Sequence, residues 1–450
     1  MNNLKIGYAS ANIDTDKKVG IDGYYLPRHN KGVIESLEVQ TLALSTLDTT
    51  VLLISVDTCM AYKEDIDLIT NSIEKKTGIC KENIIISATH SHTAPVLKPV
   101  LFKTDEKLVK EYKEFLVDKA LECAEMALSD LTNGKMGYGV VKAPDRIAYI
   151  RRYKMKNGST MTCPPINDSN IDYPLGELDQ RVNVLRFDRE NKESIVVLNY
   201  GLHADTVNGE YLHSDWPGVL RKTLDKVLGV KCISICGAQG DVGSTNVFPI
   251  PGDMNDTEIS FDNEMKSPGM ARFVGRALAG AVLQIYDKVK YIDVEEIITT
   301  RKTLNIPTNR ATKEELVLAH KYKELYESGR EDLIPYTAME LTTVVAEALR
   351  MCRFENGPDY IPCELTGLKL GEVALIGIPG EPFTEIGVKI KETEGYGLIM
   401  PCALTNGYNG YFPTKSAYDE GGYESRTSEY KVGVDSLIVD CAKEILNEFK

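Results

Sequence analysis

Five short apolar runs, rich in β-branched residues, each end in a polar or glycine-rich loop, and this pattern commits the chain to a sheet-based fold. The runs cover residues 50–56, 84–86, 195–200, 232–236 and 373–378. Their ends lie at Asp57, at His90 and His92, at His203 and Asp205, at Asp241, and at Glu381. Runs this continuously apolar read as central strands buried on both faces. Between 50–56 and 84–86, Ile66, Ile69 and Ile73 recur at helical spacing, so strand, helix and strand predict a parallel crossover. The expected fold is α/β: a mixed, largely parallel sheet with flanking helices. Helices are predicted over about 105–131, from Pro217, over 269–287 and over 427–448, with Ser214 or Asp215 as the cap of the second. Polar helical segments at 312–329 and 338–353 predict a small helical insertion near 310–355, and 249–263 reads as loop. No internal repeat and no clean linker divides the 450 residues, so one domain is expected over 1–450.

In open α/β sheets, ligands sit beyond the carboxyl ends of strands. In an extended backbone, residues two apart share a side, so His90 and His92 project together. They are either half of a metal site or ordinary hydrogen-bonding loop histidines. Of six histidines in the chain, four (His90, His92, His203, His213) fall in or just after two strand-end loops, which favours a site. A catalytic zinc site needs about three protein ligands and an open position. His90, His203 and Glu381 would supply a mixed imidazole and carboxylate set. Plainer roles stay open: Glu381 as a carboxylate at a helix N-terminus, Tyr411 as packing, Asp57 and Asp241 bonding loop amides, Asp215 as a cap, and Arg151 and Arg152 as an ion-paired or exposed couple.

The formal net charge of −14, spread along the chain, argues against nucleic acid or an anionic membrane surface as the main partner. The first residues lack the zones of a signal peptide, and no apolar run approaches the ~18–20 residues of a bilayer span, so no stable membrane insertion is expected. Ten cysteines without a paired framework fit a reducing, cytoplasmic location.

Several stretches together resemble the neutral (alkaline, non-lysosomal) ceramidases and their bacterial relatives. Thr89-His90-Ser91-His92-Thr93-Ala94-Pro95 is similar to their Thr-His-Thr-His-Ser-Gly-Pro motif. Asn199-Tyr200-Gly201-Leu202-His203-Ala204-Asp205-Thr206 resembles their second histidine motif, with Ser214-Asp215 downstream. Pro379-Gly380-Glu381 and Asn406-Gly407-Tyr408-Asn409-Gly410-Tyr411 resemble their Pro-Gly-Glu and Asn-x-Tyr-x-x-Tyr. The resemblance implies zinc held by His90, His203, Glu381 and Tyr411. It also implies that His92 either supports the ligands or transfers protons near the bound water, an arginine (Arg151 or Arg152) aimed at the substrate carbonyl, and Tyr423 in a tyrosine-rich loop nearby. Asp241 keeps the family's Gly-Asp pair and is a further site candidate.

The departures matter. Gly240-Asp241-Val242-Gly243-Ser244 displaces the family's serine by one position and lacks its proline, and the N-terminal Ala-Asp-Ile appears as Ala11-Asn12-Ile13. The chain also stops where those enzymes add a C-terminal β-sandwich domain, which turns the expected substrate away from a long-chain sphingolipid in a membrane. The resulting expectation is a zinc-dependent hydrolase that cleaves the amide of a small N-acyl compound with a metal-activated water. The alternatives are a metal-dependent esterase and a non-catalytic protein that binds metal or a metabolite.

Overall fold

The computed structural model describes residues 4–25, 27–98, 105–250, 253 and 266–450. Two sheets pack face to face, and helices cover both outer faces. The first sheet runs, in spatial order, Lys231–Cys236, Lys192–Tyr200, Arg181–Arg189, Thr132–Lys142, Lys5–Asn12, Glu38–Ser45, Thr50–Val56 and Ile84–Ala88, with Lys290–Ile292 beside Thr132–Lys142. The second runs Ile297–Pro307, Tyr360–Leu370, Val373–Gly377 and Leu398–Cys402.

Alternation along each strand divides the side chains between two cores. Leu53, Leu185, Ile195 and Val197 point inward and meet Leu368, Leu370, Leu375 and Met400 of the second sheet. Their neighbours Leu52 and Ile54 point outward onto helices Lys63–Thr77 and Glu106–Ser129. Val184, Val196 and Leu198 likewise face helices Asp215–Leu228 and Pro268–Ile285. On the far side, Leu365 and Ile376 pack under helices Thr384–Lys391 and Val434–Glu448.

This layering corrects the expected strand direction. The first sheet is mixed but mostly antiparallel: only Thr50–Val56 with Ile84–Ala88, and Lys192–Tyr200 with Lys231–Cys236, pair in parallel. The apolar runs are continuous because a second sheet, rather than a second helix layer, buries the inner face. A third parallel pair, Val373–Gly377 with Leu398–Cys402, lies in the second sheet. Each parallel pair is bridged by one crossover helix, as the chain geometry requires.

The helical insertion is present as Lys313–Glu327 and Ala338–Phe354, packed on each other through Tyr322, Tyr326, Val344 and Ala348. The C-terminal helix starts later than expected, at Val434 behind Gly433 (φ 99°), and 423–427 forms a short helix of its own. Asp215 is not the helix cap. It lies inside the first turn at φ 54°, and its carboxylate accepts from the Thr206, Val207 and Trp216 amides. The loop expected at 249–263 falls mostly outside the described residues. No described helix is long and apolar enough to cross a membrane.

Candidate metal centre

His90, His203 and Glu381 each follow a strand of one of the three parallel pairs, and the fold brings them together in a buried pocket. His90 sits two residues past Ile84–Ala88 in a left-handed conformation (φ 66°), with its amide bonded to the Thr58 carbonyl. The Thr89 hydroxyl donates to Asp57 (3.1 Å), and the Ser91 and Thr93 hydroxyls both donate to the His213 carbonyl (2.7 and 2.8 Å). Asp57 is in turn gripped by both terminal nitrogens of Arg221 (3.1 and 2.6 Å). The polar side chains of the His-x-His loop thus serve as its scaffold.

The ring orientations follow from the same logic. His90 Nδ1 lies 2.8 Å from the Cys59 carbonyl, and His203 Nδ1 lies 2.8 Å from the Gln239 carbonyl. A carbonyl only accepts, so both Nδ1 atoms carry the proton and both Nε2 lone pairs face inward. They point at Glu381 Oε2, at 3.3 Å from His90 and 2.9 Å from His203. That oxygen is buried and receives no hydrogen bond. Three lone-pair donors converging without a proton between them repel one another unless a cation joins them. The residues therefore fit a divalent metal, and two imidazoles with a carboxylate are a zinc-type set. A second cluster, Cys59 with His90 and His92, fits less well, because His90 Nδ1 is already committed and burial keeps the Cys59 thiol protonated.

Charge couples the three groups, and Glu381 draws the His90 pKa up against the effect of burial. Burial opposes ionisation of Glu381, yet the facing His90 and His203 rings hold its carboxyl well below the usual range. Burial, followed by the nearby Arg151 charge, brings His203 down to about 4. The second carboxylate oxygen of Glu381 accepts from the Tyr408 hydroxyl at 2.9 Å. A Cβ on Gly240 would stand 2.5 Å from the Glu381 carbonyl oxygen, so only glycine admits this approach of the two loops.

Of the two arginines, Arg151 faces the centre. Its Nε donates to Glu424 (2.8 Å), one terminal nitrogen lies 3.2 Å from His203 Nε2, and the other donates to the Gly240 carbonyl (2.9 Å) and the Tyr411 oxygen (3.0 Å). Arg152 turns away to the Gly421 carbonyl and Glu420. Tyr411 pairs in register with Glu381 in a two-residue parallel ladder, and its ring meets Tyr423 edge-on at 5.7 Å. Asp241 does not enter the centre: its carboxylate accepts from the Thr384 amide and hydroxyl (both 2.8 Å), while its carbonyl accepts from the Arg151 amide. Ser244 makes no hydrogen bond to these groups among the described residues.

His92 occupies the other flank. Its Nε2 is 3.3 Å from His90 Nε2, and its Nδ1 is 3.5 Å from Asp205. Asp205 also accepts from Tyr24 (2.5 Å) and Lys266 (2.5 Å). Burial lowers the His92 pKa well below normal against the pull of Asp205. Gly23 (φ 98°) lies flat on this ring, where a Cβ would come 2.6 Å from it.

Sequence reading passed over Tyr408, Tyr24, Lys266, Glu424 and the carbonyls of Cys59 and Gln239. Tyr408 alone left a signal, since it stands inside the Asn-x-Tyr-x-x-Tyr stretch. No protein-family model matches the chain, and no curated protein matches it in sequence. Solved structures do. The neutral ceramidase of Pseudomonas aeruginosa superposes with a TM-score of 0.70 at 17% identity, over 100% of this chain and 75% of that one. A ceramidase structure complexed with C2 superposes with a TM-score of 0.71 at 16% identity, over 100% of this chain and 76% of that one. At this identity the likeness establishes the fold.

Proposed function

We propose that this chain, which has the fold of the neutral ceramidases, is a zinc-dependent hydrolase that cleaves the amide of an N-acyl compound with water. The observation that carries the reading is the meeting of His90 Nε2, His203 Nε2 and the donorless Glu381 Oε2 at the ends of three strands. Tyr411 is proposed as the fourth ligand, from its register with Glu381.

A zinc ion held there supplies a Lewis acid for the scissile carbonyl and a water of lowered pKa. The chain supplies the rest. His92, kept neutral by burial, presents Nε2 as the base that accepts the water's proton and returns it to the leaving nitrogen. Asp205 orients the opposite ring nitrogen of His92. Arg151 and the Tyr423 hydroxyl stabilise the developing oxyanion. Glu424 and the Asp241 carbonyl aim Arg151 through its Nε and its backbone amide. This scheme uses no serine nucleophile, in keeping with the displaced Ser244.

His90 and His203 follow strands of the first sheet, and Glu381 and Tyr411 pair in a short ladder that follows strands of the second, so residues 1–450 are proposed to act as one catalytic unit. All ten cysteines are free, which supports a cytoplasmic setting. A panel of N-acyl amides paired with matched esters, run on the zinc-loaded protein, tests the reaction. Turnover of amides above esters is expected, and esterase activity alone would replace the amidase reading.

A further inference from the structure

Three consecutive residues, Gly23, Tyr24 and Tyr25, meet the His92 flank and the oxyanion groups in turn. Gly23 lies against the His92 ring, where no side chain would fit. The Tyr24 ring meets His92 edge-on at 5.6 Å, and its hydroxyl donates to Asp205 (2.5 Å), the carboxylate that faces His92. The Tyr25 side chain faces Tyr423. After burial it does most to keep the Tyr423 hydroxyl protonated, as a donor to an oxyanion must be.

The two ends of this strap are tied to different parts of the molecule. At its start the Asp22 amide donates to the Ala94 carbonyl (3.0 Å), and Arg28 joins the carbonyls of Asp22 and His92. At its end the Tyr25 carbonyl accepts from the Tyr326 hydroxyl (2.6 Å), and Tyr25 packs on the cluster of Tyr322, Tyr326 and Val344. Tyr326 is buried and stands on helix Lys313–Glu327 of the helical insertion. Among the described residues, this is the one hydrogen bond that joins the backbone of 23–25 to any part of the chain beyond Asp22. Without it, the strap rests on side-chain contacts alone.

We propose that Tyr326 and Tyr25 are positioning residues of the hydrolytic site, through which the helical insertion holds the strap on His92 and Tyr423. The effect on turnover rests on the hydrolase reading; the tie itself does not. It gives the insertion a task, since every ligand and proton-moving group assigned above lies outside 310–355.

Hydrogen exchange over residues 22–25 and steady-state hydrolysis of N-acyl amides, both on the zinc-loaded protein, test the tie. Tyr326→Phe keeps the ring and removes the hydroxyl. It should speed exchange and lower kcat, each by ~5-fold, the scale of one neutral hydrogen bond, with KM and zinc content near wild type. Tyr25→Phe keeps the carbonyl that Tyr326 bonds, so it should lower kcat several-fold without speeding exchange. Combined with Tyr25→Phe, Tyr326→Phe should cost less in kcat than it does alone, because part of its effect runs through the Tyr25 side chain. Unchanged exchange or unchanged kcat in Tyr326→Phe, or costs that multiply in full, would overturn the proposal. A wild type inert to every amide would fail the hydrolase reading instead, while exchange would still report on the tie.

Discussion

His90 and His203 hydrogen-bond main-chain carbonyls, those of Cys59 and Gln239, whereas His92 Nδ1 makes no hydrogen bond and faces, at 3.5 Å, a charged side chain, Asp205, itself tied to Lys266 and Tyr24. The two supports suit different work. A carbonyl fixes the tautomer and ring direction through the strand framework, which is what a metal ligand needs. A carboxylate adds basicity and stabilises a protonated ring, which is what a proton carrier needs. The centre is thus held by backbone, and the flank by charge.

The largest expected effect breaks the centre. His203→Ala should lose both metal and hydrolysis, read by metal analysis and turnover together. Full activity in that variant would remove the site assignment.

Breaking the flank should separate the two properties. Asp205→Asn should cut kcat by about 10–100-fold, the usual cost of losing a group that orients a functional histidine. Metal content and KM should stay near wild type. Loss of metal in Asp205→Asn would show that the flank and the centre are one unit.

The scaffold under the His-x-His loop is expected to respond to pH. The His213 ring accepts from the Asp215 amide (2.8 Å), and burial, with the Arg272 and Lys222 charges, brings its pKa down to about 4. The unfolded chain takes up that proton near its ordinary value of about 6.5, so it binds more protons than the folded chain between the two. The contribution is therefore complete above about pH 6.5 and is lost as pH falls towards 4, about 3 kcal/mol in all. Denaturant melts of His213→Gln against wild type across this window should show a flatter acid limb in the variant. Parallel limbs would remove His213 from the account.

The smallest effect sharpens the contrast. Tyr408→Phe removes the hydroxyl that bonds Glu381 Oε1 and should weaken metal binding by about tenfold. The chemistry of fully loaded protein should be little changed, as a metal titration followed by saturated turnover would show.

The strand-end groups were legible because each is announced within a few residues. Ile84-Ile85-Ile86 precedes His90, and Val373–Gly377 precedes Glu381. The motif order then tied them to one fold. Strand direction was misread because an apolar run looks the same whether a helix layer or a second sheet covers it. The flank was largely illegible for another reason. Asp205 was visible as a strand-end residue, but its partners Tyr24 and Lys266 come from positions 181 and 61 residues away. Glu424 reaches Arg151 across 273 positions. Ion pairs of such separation leave no local pattern. Asp241 shows the converse: a motif residue whose carboxylate serves the Thr384 turn.

The central claim, that distant loops build one metal site, is tested most directly by elemental analysis of wild type beside His90→Ala and Glu381→Ala. About one zinc per chain in wild type, and none in either variant, is the expected result. Wild-type metal content in both variants, or a wild type that takes up no metal on reconstitution, would contradict it.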